Sequence, residues 1–306
     1  MAITAKDIME LRKQTDCGMM ECKKALTDAE GDFAKAVELL RERGLATAQK
    51  KAGRVAAEGM VYATYCDKCK VGVAIEVNAE TDFVAKNEKF VEFVKDVCTV
   101  IMQENPADVE ALMSCKMGEG TVTDALNALI QVIKENIKIR RFARFEGPCA
   151  AYVHMGGTHA VLVSFNAAAD IAEKPEFAVY GKDIAMQITA ANPAYVRREE
   201  VPAEVLEHEK EIVLAQMAND PKDAAKPDAV KQKIAMGKLG KYYKESCLVD
   251  QEFVKDSSLD IKGYTAQVAK QLGGSIEIAR FVRFEKGEGL EKRSDNFAEE
   301  VASMVK

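Results

Sequence analysis

The sequence IKIRRFARFE at residues 137–146 returns near the end of the chain as IEIARFVRFE at residues 276–285. Apolar and polar residues largely alternate along both stretches, which is typical of a β-strand with one buried face. Similarity of this length within one chain indicates an internal repeat, so each copy should contain the same set of elements.

The starts of the two copies also correspond. Glu-Gly at 58–59 matches Glu-Gly at 146–147, and an alternating apolar run at 71–77 matches an apolar run at 160–165. Alternation places four side chains of the first run on one face of a sheet. Helical patterns follow in each copy before the closing strand. We therefore predict two α+β copies, each a small three-stranded antiparallel sheet covered by helices.

The second copy is longer than the first. Asn105 and Asn192 are 87 positions apart (192 minus 105), whereas Ile139 and Ile278 are 139 apart (278 minus 139), so about 52 residues are inserted. The insert has two apolar stripes at helical spacing, separated by a polar, proline-containing turn. This pattern predicts an antiparallel helical hairpin at about residues 200–245, through which a homodimer or a 2:2 complex could form.

Both ends of the chain show short helical patterns. From Thr4 onward, three amphipathic helices are expected, the third ending at Gly44, with a solvated linker at 46–54. A last short helix is expected to be capped by Ser294. We thus divide the chain into an N-terminal three-helix module and linker at 1–54, a first copy at 55–146, a second copy at 147–286 and a C-terminal helical module at 287–306.

Composition limits the classes of function. The chain has 306 residues and a net charge of −6, from 43 basic and 49 acidic residues. Excess negative charge disfavours non-specific binding to nucleic acid. The sequence lacks a membrane-spanning run and an export signal, so we expect a cytoplasmic protein whose eight cysteines stay reduced.

Motifs for catalysis are scarce. The sequence lacks a phosphate-binding loop, a dinucleotide fingerprint, a His-Glu-x-x-His motif and a serine elbow, which argues against an enzyme and predicts no cofactor or metal. His154 and His159 are interpreted as flanking an exposed hairpin turn rather than as ligands.

Two alternatives remain open. Cys66 and Cys69 form half of a zinc or redox motif, although we align this segment with residues 156–159 at the tip of the equivalent hairpin in the second copy. The Arg and Phe residues of the closing strands could bind single-stranded nucleic acid, although their alternation favours sheet core. A zinc or thiol enzyme and a nucleic-acid-binding protein are thus the competing hypotheses.

The segment EVNAETDFVAK at residues 76–86 has a different character. We expect a strand to end, a polar turn to follow and a helix to begin at Asp82, where its charge meets the helix dipole. Phe83 is either a core anchor or an exposed aromatic. Matching this segment to the second copy aligns Asp82 and Phe83 with Asp170 and Ile171, so the fold does not require an aromatic there.

That segment and LRKQTDCGMMECKKAL at residues 11–26 resemble the two signature segments of the elongation factor Ts family, the nucleotide exchange factors of bacterial translation. The resemblance extends along the whole chain in order. It implies an N-terminal module like a ubiquitin-associated domain, a duplicated core, an inserted helical hairpin and a C-terminal helix.

The resemblance also implies a partner and a site. The partner would be the GTPase elongation factor Tu, and the segment comprising Thr81, Asp82, Phe83 and Val84 would disturb the Mg²⁺ and phosphate contacts of its bound GDP. Further contacts would come from the C-terminal helix and from the residues Arg12, Met19, Met20 and His154. This activity needs no catalytic residue in the chain itself.

Overall fold

A computed structural model describes residues 3–220 and 225–291 of the chain. Its N-terminal part contains three helices, each started by a polar cap or a glycine. The Thr4 hydroxyl accepts from the Asp7 N–H, and the Asp32 carboxylate accepts from the Lys35 N–H. The apolar faces of the helices, including Leu11, pack into one small core. The helices are α1 (Ala5–Thr15), α2 (Met19–Asp28) and α3 (Phe33–Lys51).

The prediction that the third helix ends at Gly44 is wrong, because α3 continues to Lys51. Gly44 is buried, and a Cβ atom there would lie 2.8 Å from Oε1 of Gln131 on the helix packed against α3. The glycine thus permits close approach of two helices instead of ending one. Most of the expected linker is helical, and Ala48 packs against the core of the first copy.

The first copy contains the predicted three-stranded antiparallel sheet. Its strand order is β1-β2-β5, and the chain makes a small two-stranded ribbon, β3-β4, that the sequence did not predict. The elements are β1 (Glu58–Cys66), β2 (Val71–Ala79), α4 (Glu88–Glu104), α5 (Val109–Ser114), β3 (Lys116–Met117), β4 (Gly120–Thr121), α6 (Val122–Ile133) and β5 (Lys138–Glu146).

The second copy repeats this arrangement, with strand order β10-β7-β6 and a second small ribbon, β8-β9. An inserted helical hairpin, α9 and α10, lies between α8 and this ribbon. The elements are β6 (Cys149–His154), β7 (His159–Ala167), α7 (Ala169–Ala172), α8 (Pro175–Ala191), α9 (Ala203–Asn219), α10 (Asp228–Ser246), β8 (Glu252–Phe253), β9 (Asp256–Asp260), α11 (Ile261–Leu272) and β10 (Ile276–Glu285).

The two sheets pack against each other. Val61, Phe145, Leu162 and Phe284 form part of a core between them, while helices cover the outer face of each sheet. A Cβ atom at Gly72 would lie 2.5 Å from Cδ1 of Leu162, so a larger residue there would displace the Leu162 side chain from the interface. The fold is therefore α+β, with helices outside and two small antiparallel sheets inside.

A fully buried carboxylate joins the end of the second copy to the first. Glu76, on β2, accepts hydrogen bonds from Arg140 at 3.0 Å, Arg141 at 2.6 Å and the Gly287 N–H at 2.9 Å. Gly287 has a φ of +68°, and a Cβ there would lie 2.2 Å from the Ala57 carbonyl oxygen. The chain leaving β10 is thus fixed against the sheet of the first copy.

The helical hairpin has a small core of its own. Val213, Met217 and Ala235 are buried between its helices, and none of the residues 202–220 and 225–243, the part of the hairpin that the structure describes, belongs to the core of the second copy. At its base, the N–H groups of Ala194 and Tyr195 both donate to the Ser246 carbonyl, at 2.9 and 3.0 Å.

Replacing residues 202–243 by a short glycine-rich linker should leave both copies folded, because the base already brings the flanking segments together. Thermal melting followed by circular dichroism measures this. A loss of cooperative melting would show that the hairpin supplies core contacts. Ile212, Val230 and Met236 are exposed on the hairpin. Sedimentation of the full-length protein and of the same variant therefore also tests the predicted homodimer, since only the full-length protein should have the mass of a dimer.

The expected C-terminal helix from Ser294 onward lies outside the described residues. Within residues 3–220 and 225–291, no helix combines the length and the apolar character needed to cross a membrane.

Candidate functional site

The segment that connects β2 to α4, residues 80–87, is called here the β2–α4 loop. The sequence predicted a helix from Asp82, but α4 begins at Glu88. Asp82 and Phe83 lie in a turn, and Val84–Lys86 form one 3-10 turn. The helix starts late because Asn87, not Asp82, provides the cap: its side chain accepts from backbone N–H groups in the first turn, at 3.0 and 3.4 Å.

The start of the loop is held by the segment between α6 and β5. The Thr81 N–H and hydroxyl donate to the two oxygens of Glu135, at 2.9 and 2.7 Å. The Glu80 carboxylate accepts from the Asn136 N–H at 2.6 Å, and the Asn136 side chain donates to the Arg54 carbonyl at 2.7 Å. These bonds fix the backbone immediately before Asp82.

Phe83 projects from this fixed loop. Its side chain is 78% exposed, whereas the side chain of the next residue, Val84, is buried in the core of the first copy. The structure therefore excludes the interpretation of Phe83 as a core anchor and leaves an aromatic ring in solvent. A rigid loop presents that ring to a partner without the entropy loss of ordering a flexible segment.

Comparison with the second copy shows why Phe83 does not occupy a core position. Strands β2 and β7 are offset by 88 positions (159 minus 71), but helices α4 and α8 are offset by 87 (175 minus 88), so the first copy has one additional residue between strand and helix. Val84 and Ile171, both buried, thus occupy the equivalent core position. Pairing Phe83 with Ile171, as the sequence suggested, is wrong by one residue.

The N-terminal module lies beside the β2–α4 loop. Nζ of Lys89, just after the loop, is 3.0 Å from the Asp16 carboxylate on the α1–α2 connection. Lys134 pairs with Glu21, and Lys134 directly precedes the Glu135 that holds the loop. Two ion pairs thus join the α1–α2 connection and the first turn of α2 to residues next to the loop and to its support.

Met19 and Met20 lie in the first turn of α2, and the side chain of Met20 is 75% exposed. Arg12 is exposed on α1. Met side chains are flexible and polarisable, and they suit a surface that adapts to a partner. The structure therefore brings the N-terminal signature and the β2–α4 loop to the same end of the molecule.

His154 ends β6, at the tip of the β6–β7 hairpin. The Val61 N–H of the first copy donates to the Gly157 carbonyl in this tip, at 2.9 Å, and Val61 pairs with Glu76 near the end of β2. The tip therefore packs on the part of the first sheet that leads into the β2–α4 loop. Nδ1 of His154 forms a hydrogen bond of 3.0 Å with the Tyr152 hydroxyl.

Sequence reasoning missed two features of this end of the molecule. Met155, adjacent to His154, is strongly exposed and has a positive φ in the tight turn. Glu135 and Asn136 position the loop from a distant part of the sequence. No local sequence pattern identifies such long-range partners, because Glu135 and Asn136 lie more than fifty residues from the loop in sequence.

The strand pairing also corrects the alignment of the cysteine motif. Cys66 pairs with Val71 and His154 pairs with His159, so Cys66 corresponds to His154 and not to Gly156. Cys66 and Cys69 do lie in an exposed hairpin turn, as predicted. Among the described residues, no three His, Cys, Asp or Glu side chains come together as a metal site.

The closing strands direct their arginines into the protein. Arg140 and Arg141 bind the buried Glu76, and the Arg141 guanidinium lies 4.4 Å from the centre of the Phe284 ring. Arg280 stacks in the same way on Phe145, at 4.2 Å. Internal contacts thus account for these side chains, as the alternation in the sequence indicated.

Comparison with known proteins agrees with this architecture. The family model of elongation factor Ts matches residues 80–288. The elongation factor Ts of Trichlorobacter lovleyi is 47% identical over 312 residues, covering 100% of this chain and 99% of that protein. Those of Clostridium perfringens and Symbiobacterium thermophilum are each 47% identical, over 306 and 304 residues, with at least 97% of every chain covered. Similarity along the full length shows that the chain belongs to the elongation factor Ts family, a family of translation elongation factors.

Proposed function

We propose that this protein is a guanine nucleotide exchange factor that binds elongation factor Tu in its GDP-bound form and promotes release of GDP. One observation carries the proposal: Phe83 is an exposed aromatic side chain on a loop that is fixed at both ends. Insertion of this ring beside the nucleotide site would move the groups that hold Mg²⁺ and phosphate. The adjacent Asp82 is also exposed, and we propose that it contacts the partner beside the Phe83 ring.

Linkage sets the size of the interface. If the protein weakens GDP binding to its partner by 10⁴-fold, it must bind the nucleotide-free partner more tightly than the GDP-bound partner, by about 5.5 kcal/mol. Burial of one Phe side chain is worth about 1.5–3 kcal/mol, which is too little. Other contacts must therefore hold the open state of the partner while Phe83 acts locally.

The surface around the β2–α4 loop can provide those contacts. Met19 and Met20 are exposed between Asp16 and Glu21, which pair with Lys89 and Lys134 near the loop, and the tip with His154 and Met155 packs against the strand that leads into it. We propose that these side chains, with Arg12, dock the partner. The mechanism is binding rather than covalent chemistry, so the protein acts as an exchange factor and not as an enzyme, in the cytoplasm where translation takes place.

Release of a fluorescent GDP analogue from purified elongation factor Tu tests the proposal. Catalytic amounts of this protein should accelerate release. Bound GDP should lower the affinity of elongation factor Tu for this protein by the same factor by which this protein lowers its affinity for GDP. An unchanged release rate, with this protein in excess over elongation factor Tu, would contradict the proposal. Zinc that copurifies with the protein in stoichiometric amount and is lost in a Cys66→Ser, Cys69→Ser double variant would favour the alternative of a metal enzyme instead.

A further inference from the structure

The hairpin turn between β1 and β2 places two thiols together. Cys66 is the last residue of β1, and the Cys69 N–H donates to the Cys66 sulfur at 3.3 Å. The Cys69 sulfur lies 3.9 Å from the Cys66 carbonyl oxygen. Residues three apart in a tight turn have Cα atoms within about 7 Å, and disulfides span about 4.4–6.8 Å. The turn therefore holds the pair near the separation that a disulfide needs.

The two thiols are not equivalent. Hydrogen bonds from the Cys69 thiol and then from its backbone N–H lower the pKa of Cys66, while the pKa of Cys69 is raised because its thiol donates to Cys66. The thiolate is the reactive form of cysteine, so Cys66 is the nucleophile and Cys69 the second thiol.

The other six cysteines differ in kind. Burial raises the pKa of each of them, to about 12 at Cys98 and Cys149 and to about 11 at Cys247. Cys115 is partly exposed, yet its pKa is also raised. Among the eight cysteines, all within the described residues, only Cys66 combines a lowered pKa with an adjacent thiol.

We propose that Cys66 and Cys69 form a two-thiol site that reacts with low-molecular-weight disulfides and closes to an intramolecular disulfide. The Cys66 thiolate attacks one sulfur of the small disulfide, which releases one small thiolate and leaves a mixed disulfide on Cys66. Cys69 then loses its proton and attacks the Cys66 sulfur, which releases the second small thiolate. Both small thiolates take up protons, so two protein thiols are oxidised and one small disulfide is reduced.

This site is separate from the proposed exchange surface. The turn lies at one end of β2 and the β2–α4 loop at the other, and the nine residues of β2 separate them by about 25 Å at 3.3 Å per residue. The turn is also anchored on its own, since the Gly147 N–H donates to the Lys70 carbonyl at 2.9 Å. Oxidation should therefore leave nucleotide exchange unchanged, and the two proposals can fail independently.

Incubation of the folded, full-length protein with glutathione disulfide, followed by alkylation and mass spectrometry, tests the site. Lys68 lies between the cysteines, so trypsin cuts the turn and the disulfide appears as two linked peptides. Cys69→Ser should accumulate glutathione on Cys66, because the second step is lost. Cys66→Ser should slow the reaction at the turn at least about tenfold.

Cys115→Ser is the matched control, and it should form the linked peptides at the rate of the unchanged protein. Circular dichroism of each variant confirms that the fold is retained during the reaction. Absence of linked peptides in excess glutathione disulfide would overturn the proposal. So would a Cys115 that reacts as fast as Cys66, or a Cys69→Ser variant that does not accumulate glutathione.

Discussion

Phe83→Ala should slow stimulated GDP release about 10- to 100-fold and leave the melting temperature almost unchanged. The ring is exposed in the free protein, and substitutions at exposed positions usually change stability by no more than about 0.5 kcal/mol. Against the partner the ring would be buried, which is worth about 1.5–3 kcal/mol, and each 1.4 kcal/mol is a factor of ten. Fluorescent GDP release and thermal melting on the same preparation measure both effects.

Affinity for nucleotide-free elongation factor Tu should fall less than the rate, because the contacts around the loop still dock the partner. The matched control is Ile171→Ala, at the core position that Val84 fills in the first copy. Loss of this buried side chain should destabilise the protein by about 2–5 kcal/mol and leave exchange by the folded fraction normal. A destabilised Phe83→Ala protein with full exchange activity would refute the assignment of the loop.

Glu76→Ala should be among the most destabilising single changes, at about 3–5 kcal/mol. The carboxylate is fully buried and accepts hydrogen bonds from two arginines, the Asn78 side chain and the Gly287 N–H. Its removal leaves charged and polar donors without their acceptor, and breaking a buried ion pair from one side costs about this much. Thermal melting should show the loss as a large drop in Tm.

Glu146→Ala is the control for that experiment. Glu146 also pairs with an arginine, at 2.6 Å, but its side chain is 71% exposed. Exposed ion pairs contribute about 0–1 kcal/mol, so Tm should barely move. Equal effects of the two substitutions would show that burial of Glu76 does not determine its contribution.

The repeat made the sheets predictable from sequence. Alternation in the closing strands and in β2 predicted strands of a three-stranded antiparallel sheet, which the structure contains. The helical hairpin followed from a difference in spacing between the copies. Packing of the two sheets against each other, which buries β2 on both faces, was not predicted because it depends on contacts between the copies.

The errors arose where tertiary contacts decide. Gly44 has the local character of a helix end, but α3 continues through it and packs there against Gln131, which lies 87 residues away in sequence (131 minus 44). The start of α4 depends on which of two polar residues, Asp82 or Asn87, caps it. Exposure of Phe83 could not be settled by spacing, because a shift of one residue exchanges a core position for a surface position.

The one additional residue before α4 has an evolutionary consequence. With one residue more than the second copy, this segment keeps a buried side chain at the Val84 and Ile171 position and carries Phe83 beside it. A change in the length of this loop therefore separates selection on the core position from selection on the exposed side chain next to it. One copy of a duplicated domain can thereby acquire a contact residue that the other copy lacks, while both copies keep the same core position filled.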